Sequence, residues 1–151
     1  LGSHVAGRRG RDDTLWRGDC PRHQIVPAKA VAVARAAHPG APVLVHPECA
    51  ADVRAAADHA LSTGGMCRFA RESAAPEIVI GTEIGILHRL RKENPDKAFY
   101  PVSDCAVCPN MKKNTLQNLC ESLREMRVEV EVPTETADKA RRAIEAMLAV
   151  A

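Results

Sequence analysis

Apolar residues change their spacing repeatedly along this chain, and each change predicts an element. Thr14-Leu15-Trp16 is a short apolar run that stops at Gly18, as the end of a strand would. Pro27 then opens a helix that runs to Ala37, with Pro39-Gly40 as its stop. Pro42-Val43-Leu44-Val45 is apolar without alternation, the pattern of a strand covered on both faces in a parallel sheet. An Ala-rich helix is predicted from Ala50 to Leu61, ending at Ser62-Thr63-Gly64-Gly65, and another from near Met66. Glu77-Ile78-Val79-Ile80 predicts a strand, Thr82 to Glu93 a helix, and Lys97 to Val102 a strand. Beyond Cys108 the pattern predicts a helix over 111–126, a strand over 128–132 and a final helix. Thr134 would cap that helix, with Ala137, Ala140, Ile144, Met147 and Leu148 turned inward. Cys120 shares helical spacing with Leu116, Leu119 and Leu123 and is expected to be a packing residue, as is Cys67. Strands alternating with helices over short links predict an α/β fold: three-layer αβα units with short parallel sheets.

Composition narrows the class. A chain of 151 residues accommodates one α/β unit, with pieces of a neighbour. Its net charge is +2, its basic residues are scattered except for Arg8-Arg9-Gly10-Arg11, and only 3% of residues are aromatic. Those features argue against a nucleic-acid surface. No apolar run approaches the ~20 residues of a membrane helix, and no signal peptide is visible. A cytoplasmic protein without membrane or nucleic-acid partners is therefore expected. The chain starts at Leu1 and its first methionine is Met66, so it is expected to begin mid-protein. Six cysteines without an export signal point to metal or redox chemistry more than to a disulfide framework.

Three stretches carry that chemistry: Cys20-Pro-Arg-His23, His46-Pro-Glu-Cys49, and Cys105-Ala-Val-Cys108 before Pro109-Asn110-Met111-Lys112. Each follows a predicted strand, where open α/β folds build their sites. Cys20-x-x-His23 and His46-x-x-Cys49, 22 residues apart, resemble zinc-ligand spacing. Glu48 beside an imidazole and a metal suits a general base. Cys105-x-x-Cys108 fits a redox pair, half a zinc site or cluster ligands. Ser62-Thr63-Gly64-Gly65 offers hydroxyls and approachable backbone N–H groups for a carboxylate or phosphate, or simply a helix cap. The Cys-Pro step at Cys20-Pro21 recurs 88 residues later at Cys108-Pro109, a hint of internal repetition.

Taken together, these motifs resemble quinolinate synthase, the iron–sulfur enzyme of NAD biosynthesis. The resemblance rests on Leu15-Trp16-x-Gly18-x-Cys20-Pro21-x-His23, Val45-His46-Pro47-Glu48-Cys49 and Ser62-Thr63-Gly64-Gly65-Met66. It continues through Gly81-Thr82-Glu83-x-Gly85 and Cys108-Pro109-Asn110-Met111-Lys112, followed by a helix from Thr115-Leu116. It implies a transferase-type condensation of iminosuccinate with dihydroxyacetone phosphate to quinolinate, functionally linked to the aspartate-oxidising enzyme that supplies iminosuccinate. It further implies a pseudo-threefold enzyme of three α/β domains, about twice as long as this chain. A [4Fe–4S] cluster would be held by one cysteine per domain, its fourth iron acting as a Lewis acid. Cys20 and Cys108 match two cluster ligands, with Cys105 as the fallback for Cys108 or its disulfide partner; the third ligand lies outside the chain. His46 and Glu48 match catalytic positions. Ser62, Thr63, His23, Pro47, His46 and Glu48 match the substrate-binding set. Arg17, Asp19 and Gln24 depart from the pattern around Cys20 and alter the polarity of the rim. On this basis residues 1–22 are the tail of the second domain and 23–108 the third α/β domain. Residues 109–151 form a helix–strand–helix segment that packs back on the enzyme, so an isolated chain would expose apolar surface. The first half being absent, the fragment alone is expected to be inactive. Two other readings stand beside this one: a zinc module using Cys20, His23, His46 and Cys49, and a thiol redox protein using Cys105 and Cys108.

Overall fold

Four short parallel strands organise the first half of the computed structural model, which describes residues 1–10, 14–16 and 18–149. Arg11 of the basic run and Arg17 beside the Cys20 motif lie outside the described residues. The strands are β1 (Val43–Val45), β2 (His59–Ala60), β3 (Glu77–Gly81) and β4 (Ala98–Pro101), in the order β2-β1-β3-β4. Leu44 registers with His59 on one side and Ile80 on the other, and Ile78 with Phe99.

The period-two geometry of strands explains the core. Val43, Val45 and Val79 face one side and pack with Val31 and Ala34 of helix α3 (Ala28–Ala37) and Val53 of α4 (Ala51–Ala56). Leu44, Ile78 and Ile80 face the other and pack with Met66, Cys67 and Ala70 of α5 (Thr63–Glu72) and Leu87 and Leu90 of α6 (Ile86–Glu93). Both faces of the sheet are covered by helices, which is the expected αβα layering. The remaining helices are α1 (Gly2–Arg9), α2 (Pro21–Gln24), α7 (Leu116–Glu125) and α8 (Thr134–Leu148), with a 3-10 turn at Met111–Lys113. Two compact units result, Leu1–Pro109 and Asn110–Ala151.

Several elements differ from expectation, each for a local reason. Thr14-Leu15-Trp16 pairs with no strand and is exposed, whereas α1 and α2, which flank it, are helical. The helix expected over Ala50–Leu61 stops at Ala56, because His59-Ala60 pairs with β1 instead. That edge is fixed by Asp58, whose Oδ2 accepts from Val43 N at 2.7 Å while Arg35 donates to Oδ1 at 3.1 Å. Helix α5 begins at Thr63, three residues before Met66, because Ser62 Oγ accepts from Gly65 N. Thr82-Glu83 precedes α6 and stays outside it. The stretch 111–126 splits into the 3-10 turn and α7, which Thr115 caps by accepting from Asn118 N.

The C-terminal unit corrects the sequence most. Val128–Val132 alternates as a strand should but pairs with nothing described, so residues 109–151 hold no helix–strand–helix; Val128 and Val130 are 81% and 80% exposed. Pro133, not Thr134, occupies the cap position of α8. Ile144, Met147 and Leu148 are exposed, as are Cys120 and its partners Leu116, Leu119 and Leu123. Cys67, by contrast, is packed in the core as expected. No described helix is long and apolar enough to cross a membrane.

Candidate active site

In a parallel sheet every strand ends on the same edge, and ligands collect where neighbouring connections diverge. Here that point lies between β1 and β3, since the chain passes from β1 to β2 on one side and β3 leads to β4 on the other. His46 follows β1 directly and Thr82 follows β3, with His46 N donating to Gly81 O at 3.0 Å. Gly81 is what permits this closeness: a Cβ there would sit 2.7 Å from Val45 Cγ1.

The tight turn after β1 aims its side chains at α2. Cys49 N donates to His46 O, Pro47 is buried, and Arg54 of α4 donates to the carbonyls of Pro47 and Cys49. Gln24 Nε2 donates to Glu48 O at 2.9 Å, joining the turn to α2. Glu48 Oε2 lies 3.2 Å from His23 Nδ1 and 3.6 Å from His46 Nδ1. The two imidazoles stack with centroids 4.4 Å apart and planes 15° from parallel. His23 Nε2 lies 2.8 Å from Thr82 Oγ1.

Burial dominates the electrostatics and holds both histidines below their usual pKa, favouring the neutral imidazole. At His46, a proton on His23 would add to the effect of burial, while Glu48 opposes it at both rings, at His23 also through a hydrogen bond. Burial also pushes the Cys49 thiol up, and Cys49 Sγ donates to Gly81 O at 3.6 Å, so that cysteine is a core residue.

Cys20 caps α2 and is half-buried, and its sulfur joins one ligand atom each of His23 and Glu48, all within 4.8 Å of one another. His46 and Cys49 fall outside that group, so the four residues of the zinc-module reading do not converge. Cys108 is half-buried and Cys105 exposed, and both thiols are free. Ser62 and Thr63 are exposed at the N-terminus of α5, which follows β2 on the same edge of the sheet. Asp19 and Gln24 line a cleft of about 260 Å³ with Cys20, Glu48 and Arg54.

Two residues of this edge went unassigned in the sequence. Thr82 orients His23, and Glu83, also buried, accepts from Gly85 N at 2.8 Å and from Cys108 N at 3.3 Å. The signal was their position directly after the buried run of β3; it was masked by helix propensity, which placed both in α6.

A family profile described as Quinolinate synthetase A protein matches residues 1–149. The chain is similar to the quinolinate synthase of Thermodesulfovibrio yellowstonii, 46% identical over 138 residues covering 91% of this chain and 46% of that protein. A quinolinate synthase of Thermus thermophilus is 48% identical over 159 residues, 99% of this chain and 50% of its own. One from Dehalococcoides mccartyi is 46% identical over 150 residues, again 99% and 50%. The chain thus spans about half the length of the curated relatives it matches.

Proposed function

The chain belongs to the quinolinate synthase family, and from that premise we propose that it supplies the C-terminal half of the enzyme's active site. The reaction condenses iminosuccinate with dihydroxyacetone phosphate to quinolinate, releasing phosphate and two waters, for NAD biosynthesis in the cytoplasm. Atoms balance without an oxidant. Iminosuccinate hydrolyses readily in water, so an enzyme that oxidises aspartate would supply it. In this arrangement residues 1–22 close a second domain, 23–108 form a third, and 109–151 pack against other parts of the enzyme.

The observation that carries this reading is the meeting of Cys20, His23 and Glu48 beside His46 at the sheet's switch point. Two half-buried free thiols, Cys20 and Cys108, suit a [4Fe–4S] cluster, and both of their segments attach to Thr82-Glu83 at the end of β3. Cys20 and Cys108 would hold the cluster, with a third ligand from outside the chain. When bound, it supplies a Lewis-acidic iron for substrate oxygen or nitrogen.

The chain's own groups do the rest. His46 and His23, neutral and stacked, donate or accept hydrogen bonds at the substrate's polar atoms without adding charge. Glu48 takes a proton from the carbon that is to form a bond and returns it to a leaving hydroxyl, a role suited to a carboxylate between two imidazoles. Pro47 fixes the turn that presents both. Ser62 and Thr63, with the first N–H groups of α5, offer donors to a substrate carboxylate.

The test is anaerobic reconstitution of the full-length enzyme with iron and sulfide, comparing wild type with Cys20→Ser, Cys105→Ser and Cys108→Ser. Cluster absorbance and quinolinate formation should vanish for Cys20 and Cys108 and persist for Cys105. A cluster that survives both of the first changes sinks the reading.

A further inference from the structure

The loop after β4 carries both Cys105 and Cys108, and the chain holds the two differently. Ala106, between them, is buried, and its carbonyl accepts from Ile84 N at 3.0 Å. Cys108 N then donates to Glu83 Oε1 at 3.3 Å. Two main-chain bonds thus fasten the approach to Cys108 onto the residues that follow β3. Pro109 restricts the backbone of Cys108 from the other side. Cys105 is held within its own turn, where its N–H donates to Ser103 Oγ and its carbonyl accepts from Val107 N. The outcome is an exposed Cys105 and a half-buried Cys108.

We propose that Glu83 is a positioning residue for Cys108, and that its grip on that residue's main chain selects Cys108 over Cys105 as the thiol presented at this edge. Glu83 is itself buried, and its other oxygen accepts from Gly85 N at 2.8 Å where α6 begins. Starting a helix does not call for a buried carboxylate: at α5 and α7 the exposed hydroxyls of Ser62 and Thr115 do so. Burying such a group costs free energy that its hydrogen bonds must offset. Here the bond to Gly85 fixes the direction of the carboxylate, which leaves the second oxygen aimed at Cys108 N. One residue earlier, Thr82 Oγ1 meets His23 Nε2 on α2, the helix that Cys20 caps. Neighbouring residues at one strand end therefore hold both thiol-bearing segments, as the partners behind metal ligands do. What the thiol meets rests on the cluster reading given under Proposed function; the restraint belongs to the chain without metal.

The experiment alkylates the reduced, metal-free full-length enzyme with iodoacetamide and follows each cysteine by peptide fragmentation in a mass spectrometer. In wild type Cys105 should react faster than Cys108. Glu83→Met, which keeps the volume and removes both acceptors, should speed Cys108 by about 10-fold and leave Cys20 and Cys105 unchanged. Glu83→Gln leaves one oxygen for two N–H groups, so Cys108 loses its acceptor or the tether that aims it, and its rate should fall between. Should Glu83→Met not fold, Glu83→Gln with wild-type melting carries the decision. Thr82→Val is the mirror control, speeding Cys20 and not Cys108. After reconstitution, Glu83→Met should lose its cluster to a chelator about 10-fold faster than wild type. A Cys108 rate that stays at the wild-type value in the folded variant overturns the proposal. So does equal acceleration of all three thiols, which would make Glu83 a general packing residue. If the cluster survives Cys108→Ser, the cluster reading fails, while the rates in metal-free protein still decide the role of Glu83.

Discussion

Glu48 shares a single carboxylate oxygen between two histidines, and on the proposed function it is the group that moves the proton. Replacing it by glutamine keeps the volume and removes the base. Glu48→Gln in the full-length enzyme should lower quinolinate formation by roughly 10²-fold or more, read by product chromatography. Unchanged turnover would remove Glu48 from the proton path. Thr82 acts one step further out. Thr82→Val leaves His23 Nε2 buried without its partner and should cost about 1–3 kcal/mol in a urea melt, more than a surface change would. At this scale the sequence made most of the site legible, because Cys20, His23, His46 and Glu48 stand in short motifs. It could not reveal that Cys49, one residue on, turns into the core, that Thr82 reaches back 59 residues to His23, or that Glu83 reaches ahead 25 residues to Cys108.

Among the elements, β1 and β3 bear the closest tolerances. Gly81→Ala places a methyl 2.7 Å from Val45 Cγ1 and 3.3 Å from Val102 Cγ2, neither of them the loose end of a long chain. About 1–3 kcal/mol of destabilisation is expected, read as a lowered midpoint in a urea melt. The two-residue edge strand β2 depends on Asp58. Burial raises that carboxyl's pKa, but the Val43 N–H and the Arg35 guanidinium outweigh it and hold the pKa below its ordinary value. A depressed carboxylate stabilises the fold at pH values above about 3.9, and the contribution disappears as pH falls through the folded-state value. Wild type should therefore lose more stability between pH 6 and pH 3 than Asp58→Asn does; parallel curves would remove Asp58 as the lock. Of the strands that the sequence predicted, β1 and all of β3 after Glu77 are apolar runs buried on both faces, while β4, at the sheet's edge, buries Phe99 and leaves its other residues half-buried. β2 was hidden because His59-Ala60 sits in an alanine-rich stretch whose helix propensity is overridden by pairing with Leu44. Val128–Val132 erred the other way: alternation there has no neighbouring ladder to satisfy its backbone.

Over the whole molecule, apolar surface is unevenly placed. Unit Leu1–Pro109 packs a core on both faces of the sheet and leaves a few aliphatic residues such as Ile25 and Val33 exposed, while Asn110–Ala151 leaves Leu116, Leu119, Leu123 and Met126 of the α7 region exposed, with Ile144, Met147 and Leu148 on α8. Patches of that kind drive association. The isolated chain should self-associate in sedimentation velocity, and Leu119→Glu with Leu123→Glu should shift it toward monomer. A wild-type monomer at high concentration would refute this. The helical spacing of these leucines was plain in the sequence, but spacing says only that a face is apolar, not what covers it. Trp16, the sole indole of the chain, is 92% exposed and lies four positions before Cys20. Its fluorescence will be nearly blind to melting of the sheet. It will instead act as a built-in optical reporter on the Cys20 neighbourhood, dimming if the proposed iron centre, an absorbing one, binds there while the rest of the fold stays dark.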